Sequence, residues 1–365
     1  MSKKIYLDAP EVGALEKRYL NKAIDSGYVS SIGPFVPEFE QKFARYLGIG
    51  KAVSTQSGTA AIHMALHELG IGKGDEVIVP VLTFVATVNP VVYVGAKPVF
   101  VGVDIKTWNI DPKEIEKAIS KRTKAIIPVH LYGNPCKMDE IISIAKKHKL
   151  YVIEDATESL GAKYKNRYTG TFGDFGCFSF NGNKTLTTGG GGMIIGKNSR
   201  RVDHIKFLVN QARDESKGYY HSEIGFNYRM TNLEAALGLA QMRKLNGFLA
   251  KKKKFSEIYK KGLKKIEKID FQQEYRDAQS SNWLTCILLN DGIKTSRLQK
   301  ELRKNGIPSR RVFMPLTEFP FYKKSASRYG NAYEIHQRGL CLPSSNLNNE
   351  RDITLVSEAL QRAFN

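Results

Sequence analysis

The 365-residue sequence has only four cysteines, Cys136, Cys177, Cys286 and Cys341, and no two of them form a C-x-x-C pair. That scarcity argues against a disulfide framework and against a structural zinc site, and the four are expected to be reduced thiols of a cytoplasmic protein. No apolar run long enough for a signal-peptide core precedes Asp8 and Pro10, which argues against secretion. Long hydrophobic runs are missing too. The most apolar region, Val77 to Val103, is broken by Asn89, Pro90, Lys97 and Pro98, so no membrane-spanning helix is expected. Acidic residues are outnumbered, 36 against 56 Lys and Arg, for a formal charge of +20. Such a balance brings nucleic acid to mind first. The densest basic run, Lys251 to Lys268, contains nine lysines and no arginine, with Phe255, Ile258, Tyr259, Leu263 and Ile266 at helical spacing. Phosphate-reading surfaces recruit arginine forks, so the run reads as a lysine-solvated helix face and no nucleic-acid partner is expected. What survives is the milder inference that the substrate is anionic.

What is present fits a folded globular chain: 42% hydrophobic and 25% charged residues, with no internal repeat. The length suggests one large domain with a smaller one attached. From about residue 50 to 200, short β-branched runs alternate with helical patterns, the signature of an α/β fold with a mostly parallel sheet. Expected strands are 52–55, 76–79, 98–101, 125–129, 151–154 and 176–179. Expected helices are 60–69, 112–120 and 138–148. After Asn232 a helix leads into the lysine-rich stretch, and the remainder reads as α+β, with a strand over 283–289 and a helix over 296–305. The expected division is 1–245 and 246–365.

Three places carry chemistry. Ser57-Gly58-Thr59 ends a strand and opens a helix, so its backbone N–H groups can face a phosphate, although an ordinary strand-to-helix turn has the same pattern. Asp155 follows the buried run Tyr151-Val152-Ile153-Glu154, at the strand end where open α/β sheets place ligand-contacting groups; an N-cap is the equal alternative. Lys184 sits in Ser179-Phe180-Asn181-Gly182-Asn183-Lys184-Thr185, ahead of the run Gly189 to Gly192, which reads as flexible. A phosphate-binding P-loop needs glycine directly before its lysine, and Asn183 stands there; Gly170, Gly173 and Gly176 miss the G-x-G-x-x-G spacing. Pyridoxal phosphate requires an amine to bond to, a carboxylate opposite its ring nitrogen, a cradle for its phosphate and a flat surface against its ring. Candidates for all of these are present.

Seven motifs, in order, extend the case over the whole chain: Ser57-Gly58-Thr59-Ala60-Ala61, Thr83-Phe84-Val85-Ala86-Thr87, Pro128-Val129-His130-Leu131-Tyr132-Gly133, Glu154-Asp155-Ala156-Thr157-Glu158, Phe178 to Lys184, Gly225 to Met230 and Gly339 to Ser345. In these the sequence resembles the sugar aminotransferases of the DegT/DnrJ/EryC1/StrS family, fold type I pyridoxal-phosphate enzymes acting on nucleotide-linked keto sugars. The resemblance implies that Lys184 holds the cofactor covalently and that Asp155 pairs with the ring nitrogen. It places Glu158 near the ring hydroxyl and Phe84 on the ring, with Gly58, Thr59 and Ser179 at the phosphate. Asn227 is implied to reach the phosphate of a neighbouring subunit, with Arg229 close by, making a homodimer with shared active sites. His130 and Arg229 are expected on the substrate side. Glu158 stands where many members have glutamine or histidine, and Gly190 where many have glutamate. The implied reaction moves an amino group from L-glutamate to the C4 keto group of a nucleotide-linked sugar. A UDP-linked 4-keto-6-deoxy-N-acetylhexosamine is the favoured acceptor, with GDP-perosamine synthesis the alternative. A dehydratase branch of the family carries histidine in place of the lysine, and Lys184 argues against it.

Overall fold

The computed structural model describes residues 4–290, 292, 294–322 and 326–364. Seven strands, β1 (Ala52–Thr55), β2 (Glu76–Pro80), β3 (Lys97–Val101), β4 (Thr123–Ile126), β5 (Tyr151–Asp155), β6 (Phe175–Ser179) and β7 (Gly192–Gly196), form one sheet in the order β1-β7-β6-β5-β4-β2-β3. The run from β3 to β6 is parallel, and β7 lies antiparallel between β6 and β1. Helices Gly58–Glu68, Pro112–Ala118 and Met138–His148 make connections between the parallel strands. Strands covered on both faces need apolar residues on both, and Val77, Ile78 and Val79 in succession are fully buried.

Two expectations of local structure are corrected. The run over 125–129 is a strand only to Ile126, because Pro128 has no N–H to continue the ladder; its carbonyl accepts from Asp155 N at 2.9 Å instead. The glycine run at 189–192, expected to be flexible, is bridged along its length, Gly189 to Asn181, Gly190 to Thr188 and Gly191 to Ser57. Gly191 has φ +84°, and Gly192 opens β7 so close to Ser57 that a Cβ would collide with its backbone. Glycine permits the close approach here that brings β7 against the start of helix Gly58–Glu68.

The chain then runs through one 32-residue helix, Asn232–Leu263, started by a reciprocal cap between Thr231 and Glu234. Its first half packs Ala235, Leu239 and Leu245 into a cluster with Phe39, Phe43 and Phe178. Gly238 touches Phe39 so closely that a Cβ would lie 2.7 Å from the ring. The second half packs Phe255, Tyr259 and Leu263 on a four-stranded antiparallel sheet (Ile269–Phe271, Thr285–Leu289, Gly339–Leu342 and Arg310–Arg311), with helix Glu350–Phe364 alongside. The expected division at 245/246 therefore falls inside a continuous helix. The lysine face is not wholly solvated either: Lys252 is 4% exposed, and its ammonium donates to the carbonyls of Trp283 (3.0 Å) and Ser344 (2.8 Å). All four cysteines are buried and free, with Cys286 and Cys341 facing each other across paired strands at 3.5 Å. Among the described residues, no helix is long and apolar enough to cross a membrane.

Candidate active site

The carboxyl ends of β5 and β6 and the start of helix Gly58–Glu68 converge on a cavity of about 270 Å³. Ser57 caps the helix, its hydroxyl accepting Ala60 N–H at 3.1 Å. The first N–H groups of any helix lack intrahelical acceptors, so those of Gly58 and Thr59 remain to bind an anion with the helix dipole behind them. A Cβ at position 58 would lie 2.9 Å from Ser179 Cβ and 3.0 Å from Thr157 Cγ2. Glycine thus lets Ser179, at the end of β6, stand directly against the helix start, and the three residues form one concave cradle.

Asp155, the last residue of β5, is 3% exposed and lines the same cavity. Its Oδ2 accepts from Thr87 Oγ1 at 2.6 Å and its Oδ1 from Thr157 N at 3.1 Å. Phe84, 54% exposed, stands at the cavity wall with its ring 5.7 Å from that of Phe313.

Lys184 enters from the turn after β6, where its N–H bonds to Asn181 O at 2.9 Å. Its side chain is 13% exposed, with Nζ 3.5 Å from Glu158 Oε1 and 4.1 Å from the centre of the Trp283 ring. Burial pushes the Glu158 carboxyl above the usual carboxylate range, against the pull of Lys184. Glu158 Oε2 accepts from Tyr132 N at 2.8 Å. To present that N–H, Tyr132 adopts φ +56°, a conformation unfavourable for an aromatic residue, and it is held there by stacking between Trp283 and Phe313. Gly190 also lines the cavity, with Glu234 Oε1 3.1 Å from where its Cβ would be.

Other expected site residues are not brought here. His130 is fully buried, its Nδ1 accepting from Cys136 N and its Nε2 held 3.0 Å from Glu154. With both ring nitrogens engaged it does not reach the cavity, and its expected substrate role is corrected to a structural one. Glu154 also accepts N–H groups from Gly170, Phe172 and Gly173 at 2.6 to 2.8 Å, which gives that glycine-rich turn its purpose. Asn227 is exposed, Arg229 is half-buried, and neither lines the cavity of this chain. Conversely, Thr87, Trp283, Arg310 and Phe313 line it without having been singled out for it in the sequence. Of these only Thr87 had a signal, being part of a motif next to Phe84. Arg310 donates from Nη1 to Asp8 at 3.0 Å, while its Nε and Nη2 are buried without a hydrogen-bond partner.

An amine, a buried carboxylate, a glycine-dependent anion cradle and an aromatic wall thus share one cavity, and this donor set fits pyridoxal phosphate. The model of the DegT/DnrJ/EryC1/StrS aminotransferase family matches residues 10–361. GDP-perosamine synthase of Escherichia coli O157:H7 is 41% identical over 356 residues, 97% of each chain. GDP-perosamine synthase of Caulobacter vibrioides is 40% identical over 367 residues, 99% of this chain and 98% of that one. Among solved structures, a protein assigned as the sugar aminotransferase Spr1654 of Streptococcus pneumoniae, in its PLP form, superimposes with a TM-score of 0.94 at 26% identity, covering 99% of this chain and 98% of the other. Sequence and architecture agree with the residue-level reading along nearly the whole length, and the chain belongs to the DegT/DnrJ/EryC1/StrS family of pyridoxal-phosphate-dependent sugar aminotransferases.

Proposed function

We propose that this aminotransferase moves the amino group of L-glutamate to the C4 keto group of a GDP-linked 4-keto-6-deoxyhexose, as in GDP-perosamine synthesis. The similarity to GDP-perosamine synthases over essentially the full length carries this reading. It reverses the preference drawn from motifs alone, in which a UDP-linked N-acetylhexosamine came first.

When bound, pyridoxal phosphate supplies an electron sink for the carbon that loses or gains a proton. In this reading the N–H groups of Gly58 and Thr59 and the Ser179 hydroxyl hold its phosphate, and Asp155 keeps a proton on its ring nitrogen. Phe84 covers the ring face. Lys184 would hold the cofactor covalently, and its freed neutral amine would take the proton from the donor carbon at Nζ. Glu158, with Oε1 3.5 Å from Nζ, would stabilise the ammonium that forms when the amine takes that proton. Glutamate leaves as 2-oxoglutarate, and the same residues serve in reverse order for the keto sugar. The donor's carboxylates need a cation other than Lys184, and the incompletely partnered Arg310 guanidinium on the cavity wall is suited to one of them.

The assembly in this reading is a homodimer in which Asn227 and Arg229 complete the partner's site. Support comes from Tyr219 and Ile224, both 86% exposed and close in sequence to Asn227, since exposed large apolar side chains suit a covered surface. Four buried free thiols suit a reducing compartment, the cytoplasm.

The deciding experiment offers the enzyme GDP-, UDP- and dTDP-linked 4-keto sugars with glutamate and follows 2-oxoglutarate release. Turnover confined to the GDP sugar is expected. Preference for the UDP-linked N-acetylhexosamine would overturn the acceptor assignment and restore the alternative.

A further inference from the structure

Lys184 must leave the cofactor and return to it in every catalytic cycle, which raises the question of where its long side chain waits. We propose that the Trp283 indole is the platform on which the Lys184 amine rests whenever it is not bonded to the cofactor, so that Trp283 is a positioning residue for this enzyme. The proposal rests on the reading of Lys184 as the cofactor-holding lysine.

Lys184 Nζ lies 4.1 Å from the centre of the indole, inside cation–π range. Two ties hold the ring beneath it and a third holds the Trp283 backbone. Its Nε1–H donates to Asn183 O at 2.8 Å, so platform and lysine are joined through adjacent residues of the backbone. The Trp283 carbonyl accepts from the buried Lys252 ammonium at 3.0 Å. The ring stacks on Tyr132, with centroids 6.0 Å apart and planes 17° from parallel. Tyr132 also donates its N–H to Glu158, the other group beside Nζ. One residue in a left-handed conformation therefore supports both contacts of the amine, and its hydroxyl accepts Phe313 N–H at 2.9 Å.

The chemistry of the two contacts differs in a way that suits a group in transit. A carboxylate alone would hold an ammonium through directional, charge-assisted hydrogen bonds that have to break before the lysine moves. An aromatic face attracts the same charge without such bonds and keeps water from that side. Arg310 places its Cζ 5.9 Å from the same ring, farther out than Lys184, so it does not displace the amine from the inner position.

The test uses the holoenzyme and the apoprotein with Trp283→Leu, which removes the π face, and Trp283→Phe, which keeps one. Trp283→Met fills the space if the leucine variant does not fold. In a single turnover with glutamate alone, Trp283→Leu is expected to lower the limiting rate about tenfold while KM changes by less than about threefold, and Trp283→Phe to recover most of the loss. The second readout is independent of turnover. Covalent uptake of pyridoxal phosphate by the apoprotein, followed by absorbance, slows to a similar degree in Trp283→Leu. Affinity for pyridoxine phosphate, which has no aldehyde to bond with lysine, stays unchanged. Equal damage in the phenylalanine and leucine variants, wild-type behaviour in both, or a parallel loss of pyridoxine phosphate affinity would each overturn the platform. Lys184→Ala is read alongside: if it still takes up the cofactor covalently, the lysine assignment itself fails, and the platform with it.

Discussion

Thr87 donates its hydroxyl hydrogen to Asp155 at 2.6 Å, and because that hydrogen is committed, Thr83 must be the donor in its own 2.9 Å contact with Thr87. This two-step relay fixes the carboxylate on the cavity wall that is proposed to face the cofactor ring. Losing a hydrogen bond to a charged group costs about 1.5–3 kcal/mol, so Thr87→Val should lower kcat roughly ten- to a hundredfold with little change in fold. Thr87→Ser keeps the hydroxyl and should keep most of the rate. Equal rates for the valine and serine variants would mean that Thr157 N–H alone orients Asp155.

Removing the reacting groups themselves should do more. Lys184→Ala takes away the amine proposed to bond to the cofactor and move the proton, yet leaves the Gly58, Thr59 and Ser179 cradle intact. Turnover should disappear in a folded protein; a few per cent of residual activity would sink the assignment. Asp155→Asn keeps the shape and removes the charge proposed to lie opposite the ring nitrogen, and a loss of about a thousandfold, some 4 kcal/mol, is expected with partial retention of cofactor. Unaltered kinetics would assign Asp155 to capping instead.

Much of this site was legible because its parts lie at the ends of strands. Asp155 and Ser179 close β5 and β6, Gly58 follows shortly after β1, and those strands announce themselves as β-branched or aromatic runs. The walls were not legible. Asp8 and Arg310 meet across 302 residues of chain, and Trp283 reaches Lys184 from just before the strand Thr285–Leu289 of the C-terminal sheet; no local pattern encodes such meetings. His130 shows a different limit. It lies beside site residues in sequence, but its ring points to Glu154 beneath the sheet end, and adjacency says nothing about side-chain direction. The strand β7 was hidden by the glycines that let it approach Ser57.

Lys252 offers a test by pH. Burial is the main reason its ammonium is pulled down to about 8 from the ordinary 10.5, with Asp8 opposing. Below pH 8 both folded and unfolded chains carry the proton and the folded state bears the full burial penalty. Between about pH 8 and 10.5 the folded chain releases the proton while the unfolded chain keeps it, so this group's contribution to stability rises with pH, by up to about 3 kcal/mol. Lys252→Met has no proton to release. The difference in unfolding free energy, wild type minus Lys252→Met, should therefore increase from pH 7 to pH 10 in denaturant titrations. A flat difference would mean that the Trp283 and Ser344 carbonyls hold the ammonium as well as water does.

The last prediction concerns the shared site. Asn227 and Arg229 do not line the cavity of their own chain, yet they fall in one of the motifs in which the sequence resembles the family, and the exposed Tyr219 and Ile224 nearby in sequence suit a partner surface. If they complete the neighbouring site, a change there damages a site whose lysine belongs to the partner. Subunits carrying Lys184→Ala and subunits carrying Asn227→Ala with Arg229→Ala should each be nearly inactive alone. After the two are mixed, dissociated and reassociated, each mixed dimer has one site with both halves intact and one with neither. Random pairing makes half the dimers mixed, so activity should recover to about a quarter of wild type under closed two-fold symmetry. Exchange of a tag between the chains confirms that mixed dimers have formed. If they form and activity does not return, Asn227 and Arg229 serve their own chain, because a site assembled from two subunits is the only arrangement in which two such defects complement each other.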